Sequence, residues 1–171
     1  YSAYYVEEID GVFSASISEL ELERPSDGFV QIQVSFSSLN YKDALSASGN
    51  KGVTRNYPFV PGIDAAGTIS DANSSNFVEG DEVLVTGYDM GMNTPGGFGE
   101  FINVPANWVV KKPSALSSLE AMSIGTAGLT AAASVLKIKE SSKESDLPVL
   151  VSGATGGVGS IGVMLMSKLD K

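Results

Sequence analysis

The chain has 171 residues, with 20 acidic against 11 basic side chains, a net charge of −9 and an apolar content of 43%. That length fits one sizeable domain, or one small domain with part of another, and the acidic balance argues against nucleic acid or an anionic membrane as partner. Cysteine and histidine are both absent, so disulfides are excluded, a zinc site would need carboxylates alone, and proton transfer falls to Tyr, Lys, Asp, Glu or a cofactor hydroxyl.

Residues 1–37 read as β structure. Tyr1 to Glu8 and Val12 to Leu20 are two strands around a turn at Asp10-Gly11. In the next strand Val30, Ile32, Val34 and Phe36 alternate with Gln31, Gln33 and Ser35, which predicts a half-buried strand with the glutamines facing water. From Ser37 to Pro61 the pattern breaks into loop chemistry, with a short helix expected near Tyr41–Ala47. Strand signals resume at Ala65–Ser70, Glu82–Thr86, Phe98–Val104 and Trp108–Lys111, with a turn at Val78–Glu82. Many short strands with Gly and Pro turns predict a barrel or sandwich.

The character changes after Pro113. Ser117-Ser118-Leu119-Glu120 is a capping box that opens a helix through Ile124. Gly125–Gly128 is expected to interrupt it, and the alanine-rich Leu129–Leu136 to form another helix. Lys137 to Asp146 is polar and reads as a solvated loop. No apolar run approaches a membrane span, and no charged-then-apolar leader opens the sequence. The expectation is a cytoplasmic protein.

The most informative stretch is Pro148-Val149-Leu150-Val151-Ser152-Gly153-Ala154-Thr155-Gly156-Gly157-Val158-Gly159. An apolar run without alternation predicts a buried parallel strand. It stops at glycines spaced G-x-x-G-x-x-G, and Val158, Ile161, Leu165 and Leu169 then recur at helical spacing. Strand, glycine turn and helix describe the first unit of a dinucleotide-binding fold. Glycine is required there because the backbone must turn sharply and approach a pyrophosphate, which the N–H groups at the helix start then bind. The plainer reading is a glycine-rich β-to-α turn without a ligand. A dinucleotide fold needs several such units, so the sequence is expected to be the front part of a longer protein.

Three further stretches precede the glycine loop in order: Leu39-Asn40-Tyr41-Lys42-Asp43-Ala44-Leu45, Pro58-Phe59-Val60-Pro61-Gly62-Ile63-Asp64-Ala65-Ala66-Gly67, and Ile124-Gly125-Thr126-Ala127-Gly128-Leu129-Thr130. Together with the loop they resemble the medium-chain dehydrogenase/reductase superfamily, in its zinc-free branch of quinone-oxidoreductase-like enzymes and closest to the acrylyl-CoA reductase group. The resemblance implies a mixed α and β architecture. Residues 1–113 would form a GroES-like β-barrel catalytic domain. Residues 114–171 would form a helical connection and the first strand and helix of a Rossmann cofactor domain, both domains being incomplete.

It also implies site residues. Where zinc-dependent relatives carry a Cys and a His, this sequence has Asn40 and Ile63, and neither can replace a thiolate or an imidazole as ligand. Asn40, Tyr41 and Asp43 would face the nicotinamide and the substrate carbonyl, with Tyr41 bonding the cofactor or donating a proton. In the alternative, Tyr41 packs at a barrel rim and Asn40 closes a turn. Asp64 would tie down the active-site loop through backbone N–H groups or act as an acid–base group. Thr126, Thr155, Gly156, Gly157, Val158 and Gly159 would bind cofactor, Thr126 serving equally as a helix N-cap. The implied activity is zinc-independent, NADPH-dependent reduction of an activated C=C bond, with NADH not excluded. An α,β-unsaturated acyl-CoA such as acrylyl-CoA is the implied substrate, and the whole protein would be a homodimer. The alternatives are a quinone or enone reductase, or a non-catalytic nucleotide-binding protein on the same scaffold.

Overall fold

The structure is a computed structural model and describes residues 1–73, 75–141 and 148–169. The chain divides into two compact units, Tyr1–Ser123 and Ile124–Lys171.

The first unit opens with an antiparallel hairpin, β1 (Ser2–Ile9) and β2 (Val12–Glu19). Asp10 and Gly11 between them both have left-handed φ values, 52° and 78°, the twist a two-residue hairpin turn requires. A five-stranded antiparallel sheet follows: β3 (Phe29–Phe36), β4 (Asp64–Asp71), β5 (Glu82–Thr86), β6 (Phe101–Pro105) and β7 (Val110–Lys111), in the order β6-β3-β4-β5-β7. Bridges at Ala3–Gly99 and Val6–Phe59 tie the hairpin to the segments around it. Val30, Ile32, Ile69, Val83, Val85, Ile102 and Val104 fill one core, each contributing about 1.5–3 kcal/mol relative to exposure.

The strand alternation breaks in β3. Gln31 is buried and Phe36 is exposed, the reverse of the sequence expectation. The register with β4 shifts at Val34/Phe36, where Ser35 is left over and Phe36 is turned out, whereas Gln31 stays in regular register with β6 and is buried by the groups that cover its face. Gln31 is satisfied where it sits: its Nε2 donates to the Glu23 carbonyl at 3.0 Å and to Asn103 Oδ1 at 3.2 Å, and Ser70 Oγ donates to its Oε1 at 3.1 Å. The strand expected from Phe98 begins at Phe101, and Trp108 lies in a 3-10 turn, Ala106–Trp108, its ring stacked on Tyr88 at 5.1 Å.

The short helix α1 (Tyr41–Ala47) forms as the sequence predicts. The long helix α2 (Ser118–Ser141) begins at the expected capping box, with Ser117 N–H donating to Glu120 Oε2 at 2.8 Å and Glu120 N–H to Ser117 Oγ at 3.2 Å. Ala121 and Met122 pack with Ala66 on the sheet. The expected interruption over Gly125–Gly128 is confined to one residue, Gly125 (φ 48°, ψ −158°), a conformation open only to glycine. Helix resumes at once because Thr126-Ala127-Gly128 needs no break of its own, and it runs on through Ser141, where a loop was expected. The rest of that expected loop lies outside the described residues. By length and composition α2 could cross a membrane, contrary to the sequence expectation, but a core helix passes the same test, and Ala121 and Met122 near its start are buried against the sheet.

In the second unit the helix after the glycines, α3 (Gly157–Ser167), forms as expected. Its buried positions are Gly162 and Met166, while Val158 is 42% exposed, so the inward stripe is rotated from the one read in the sequence. Small residues at the contact with α2 permit this: a Cβ on Gly157 would lie 3.3 Å from the Ala127 methyl. The strand expected at 148–152 is not formed, and Leu150 is 93% exposed. A strand exists by its ladder, and no described segment lies beside these residues to supply one.

Between β3 and β4 the backbones leave no room for a side chain at Gly67, where a Cβ would stand 1.9 Å from the Gln33 carbonyl oxygen. Gly67→Ala is expected to destabilise the first unit by about 3 kcal/mol. Urea unfolding followed by the fluorescence of Trp108, the single tryptophan, measures it.

Candidate functional site

The candidate catalytic residues gather where α1 begins. Asn40 is its N-cap, in extended conformation (φ −123°, ψ 154°). The segment leading to it is pinned twice: Ser37 Oγ donates to the Gly97 carbonyl, and Ser38 Oγ donates to the Met122 carbonyl at 2.6 Å. Asn40 Nδ2 donates to Asp64 Oδ2 at 2.9 Å. Asp64, the first residue of β4, is fully buried.

Asp43, one turn into α1, is 3% exposed. Its Oδ2 accepts the Asn40 N–H at 2.7 Å, and its Oδ1 accepts the Ile63 N–H at 2.9 Å. Asp43 thus ties the loop through backbone N–H groups, the kind of role the sequence offered to Asp64. Both oxygens are engaged by backbone N–H groups, and Asp43 stands in the cleft wall as a bonded carboxylate. Loss of hydration raises its pKa above the ordinary 3.8. The bonds from the Asn40 and Ile63 N–H groups and the Asn40 side chain act against this, and the Asp64 charge adds to it.

The two backbone segments that frame the pair meet without side chains between them. Gly62 has φ 110°, and a Cβ there would lie 2.7 Å from both the Gly97 and the Phe98 nitrogen. Beside them opens a cleft of about 550 Å³ lined by Tyr4, Leu39, Asn40, Asp43, Ala44, Ala47 and Phe98. Its walls are apolar apart from Asn40, the Tyr4 hydroxyl and the occupied Asp43 carboxylate, the composition of a site for a neutral, largely apolar group. Tyr41 starts α1 with its ring 80% exposed, and Lys42 beside it is also solvent-facing. Ile63 is buried. Among the described residues no group of three or more carboxylates could hold a metal ion.

The candidate cofactor residues belong to the second unit. Gly156 N–H donates to the Gly153 carbonyl at 3.0 Å, which closes a turn with Ala154 and Thr155 at its tip. Gly153 has φ 62°, and a Cβ on Gly159 would stand 2.1 Å from the Gly153 carbonyl oxygen, so both glycines are required by the turn itself. Gly156 differs. It is the N-cap of α3 in ordinary extended conformation, and a Cβ there would meet nothing closer than 3.5 Å. No acidic side chain stands in the first turn of α3, and the loop with Gly157, Val158 and Gly159 lines a cavity of about 530 Å³. An open glycine turn before an uncapped helix start fits a pyrophosphate. Thr126 follows the Gly125 break directly, half-buried, and its carbonyl accepts the Thr130 hydroxyl at 2.8 Å.

Residues 26–114 match the alcohol dehydrogenase GroES-like domain. The chain belongs to this family. The resemblance read from the sequence is borne out in the relatives. The chain is 38% identical over 164 residues to the acrylyl-CoA reductase AcuI of Ruegeria pomeroyi, an alignment covering 95% of this chain and 50% of AcuI. It superposes on the YhdH oxidoreductase of Salmonella enterica, solved with NADP, with a TM-score of 0.92 and 43% identity, covering 99% of this chain and 52% of the other. The Bacillus subtilis protein YhfP, solved with NAD bound, gives a TM-score of 0.86 and 37% identity, covering 98% and 51%. The chain therefore spans about half the length of the relatives it matches.

Sequence reading missed the anchoring by Ser37 and Ser38 and the double bond of Asp43 to backbone. The Asn-x-x-Asp spacing at 40–43, a capping pattern, was the signal for the latter.

Because the folded state raises the Asp43 pKa, the native protein holds this proton more tightly than the unfolded chain does. Its contribution to stability therefore falls as pH climbs from 3.8 through the raised value. Asp43→Asn removes that titration and also one acceptor, which costs about 1–3 kcal/mol for the stranded N–H. Urea midpoints against pH are expected to show the two proteins converging as pH rises across that window. Parallel curves would contradict the assignment.

Proposed function

We propose that the whole protein is a zinc-independent, NADPH-dependent reductase of activated C=C bonds, with an α,β-unsaturated acyl-CoA of the acrylyl-CoA type as substrate. The observation that carries it is the Asn40 carboxamide at an apolar cleft, anchored on a buried carboxylate. The AcuI name of a relative and the NADP complex of a neighbour support the substrate class and the cofactor.

The bound dinucleotide would supply a hydride for the β-carbon of the substrate. The chain's own residues then have two tasks. Negative charge that builds on the carbonyl oxygen would be met by the Asn40 Nδ2–H not given to Asp64, on a carboxamide whose place is fixed before substrate arrives, so little reorganisation is needed. A proton must reach the α-carbon, and the exposed phenol of Tyr41, the residue after Asn40 in the chain, is the candidate donor, with the Tyr4 hydroxyl on the cleft wall as the other phenol. Asp64 orients Asn40. Gly156, Gly157, Val158 and Gly159, with Thr155 and Thr126, would hold the dinucleotide. NADH is the second reading for the cofactor, because YhfP was solved with NAD. Metal-free chemistry follows from the donor set: Asn40 and Ile63 cannot stand in for a thiolate and an imidazole.

The direct test is loss of NADPH absorbance when acrylyl-CoA is added to the whole protein, with propionyl-CoA as product. Turnover is expected to survive a strong chelator unchanged. Cofactor binding without turnover of any enone, quinone or enoyl thioester would overturn the reading in favour of a non-catalytic nucleotide-binding protein.

The different roles of the glycines allow a cleaner probe of the cofactor site. Gly156→Val places a branched side chain where the backbone conformation accepts it and the loop has space, so the turn should persist. NADPH affinity is expected to fall at least tenfold, about 1.4 kcal/mol, with the unfolding midpoint nearly unchanged. Titration of cofactor fluorescence checks it.

A further inference from the structure

We infer that Asp43 is a positioning residue for the reductase chemistry: it fixes Asn40 against Asp64 and thereby sets which way the Asn40 carboxamide faces the cleft. This rests on the proposed function for its catalytic meaning, but its geometry stands by itself. Asp43 reaches two segments remote in sequence, taking the Asn40 N–H on one oxygen and the Ile63 N–H on the other, at 2.7 and 2.9 Å. Asp64 follows Ile63 directly and accepts Asn40 Nδ2 at 2.9 Å. The three bonds close a ring through both backbones. Asn40 is held at its main chain and at its side-chain nitrogen, and with Nδ2 committed to a carboxylate oxygen the direction of Oδ1 follows.

Helix capping alone does not require this arrangement. The Asn40 N–H needs one oxygen, and an exposed Glu or Gln at the same position of a capping box would provide it. The second bond, to Ile63, demands that the carboxylate be carried inside, next to the Asp64 carboxylate, at a desolvation cost. What the second bond adds is the distance between residue 40 and residue 64. The cost is explained when that distance is what must be kept.

The test uses the whole protein with NADPH and an acryloyl thioester, comparing Asp43→Asn, Asn40→Ala, the double variant and Asp43→Glu. Asp43→Asn can satisfy only one of the two N–H groups. Its kcat is expected to fall at least tenfold, with KM moving less than threefold and NADPH affinity unchanged. In the Asn40→Ala background the same substitution is expected to lower kcat by less than threefold, because the residue it acts through is gone. Asp43→Glu, which keeps both acceptors, is expected to recover part of the loss. Equal losses in both backgrounds, or a folded Asp43→Asn enzyme with wild-type kcat, would overturn the inference.

If Asp43→Asn does not fold, Asp43→Glu is compared in the two backgrounds and judged by the same criterion. If the wild-type protein reduces no enone at all, the functional reading falls and the ring is read spectroscopically. The Ile63 amide should exchange at least tenfold faster, and the Asn40 carboxamide resonances should shift, in the folded Asp43 variant. Unchanged spectra would overturn the inference independently of activity.

Discussion

A carboxylate withdrawn from water must be met by donors already in place, and around Asp43 those donors are the backbone N–H groups of Asn40 and Ile63. Much of the surrounding structure meets that requirement. Ser37 and Ser38 hold the approach to Asn40 from two sides, and Gly62 and Gly97 let the second segment come close enough for Ile63 to point its N–H inward. The cleft beside this arrangement inherits its rigidity from main-chain geometry, while Leu39 and Tyr41 extend outward on either side of Asn40.

The second unit divides labour among its glycines in a comparable way. Gly153 and Gly159 are needed for the turn to close, whereas Gly156 leaves a space that the turn does not use. Unused room beside an uncapped helix start is what separates a dinucleotide loop from a glycine-rich corner. That contrast cannot be read from the spacing of the three residues.

Sequence reading succeeded where local rules decide. The Asp10-Gly11 hairpin turn, the Ser117 capping box and the start of α3 at Gly157 each depend on a few adjacent residues. It failed where partners decide. Gln31 is buried because Glu23, Asn103 and Ser70, from other segments, cover its face of the sheet and bond it. Residues 148–152 have strand composition but no ladder beside them among the described residues. Gly125 to Gly128 looked like a four-residue break because both end glycines are helix-poor, yet one unusual ψ absorbs the whole interruption. At the candidate site Asn40 and Asp64 were legible as a pair of polar residues in suggestive company. Their joining through Asp43 was not, because burial is a property of the fold rather than of the motif.

The glycines at 62, 67, 96 and 97 stand where a methyl group would overlap main-chain atoms of a neighbouring segment. Every single-base change that alters a glycine codon's meaning either ends the chain or introduces a side chain, and none yields anything smaller. These four sites are therefore closed in one step to drift in the gene, while outward positions such as Leu39, on the wall of the cleft, can vary without disturbing the frame. Selection for a new substrate would have to travel through those outward positions, on a scaffold whose steric minimum has already been reached.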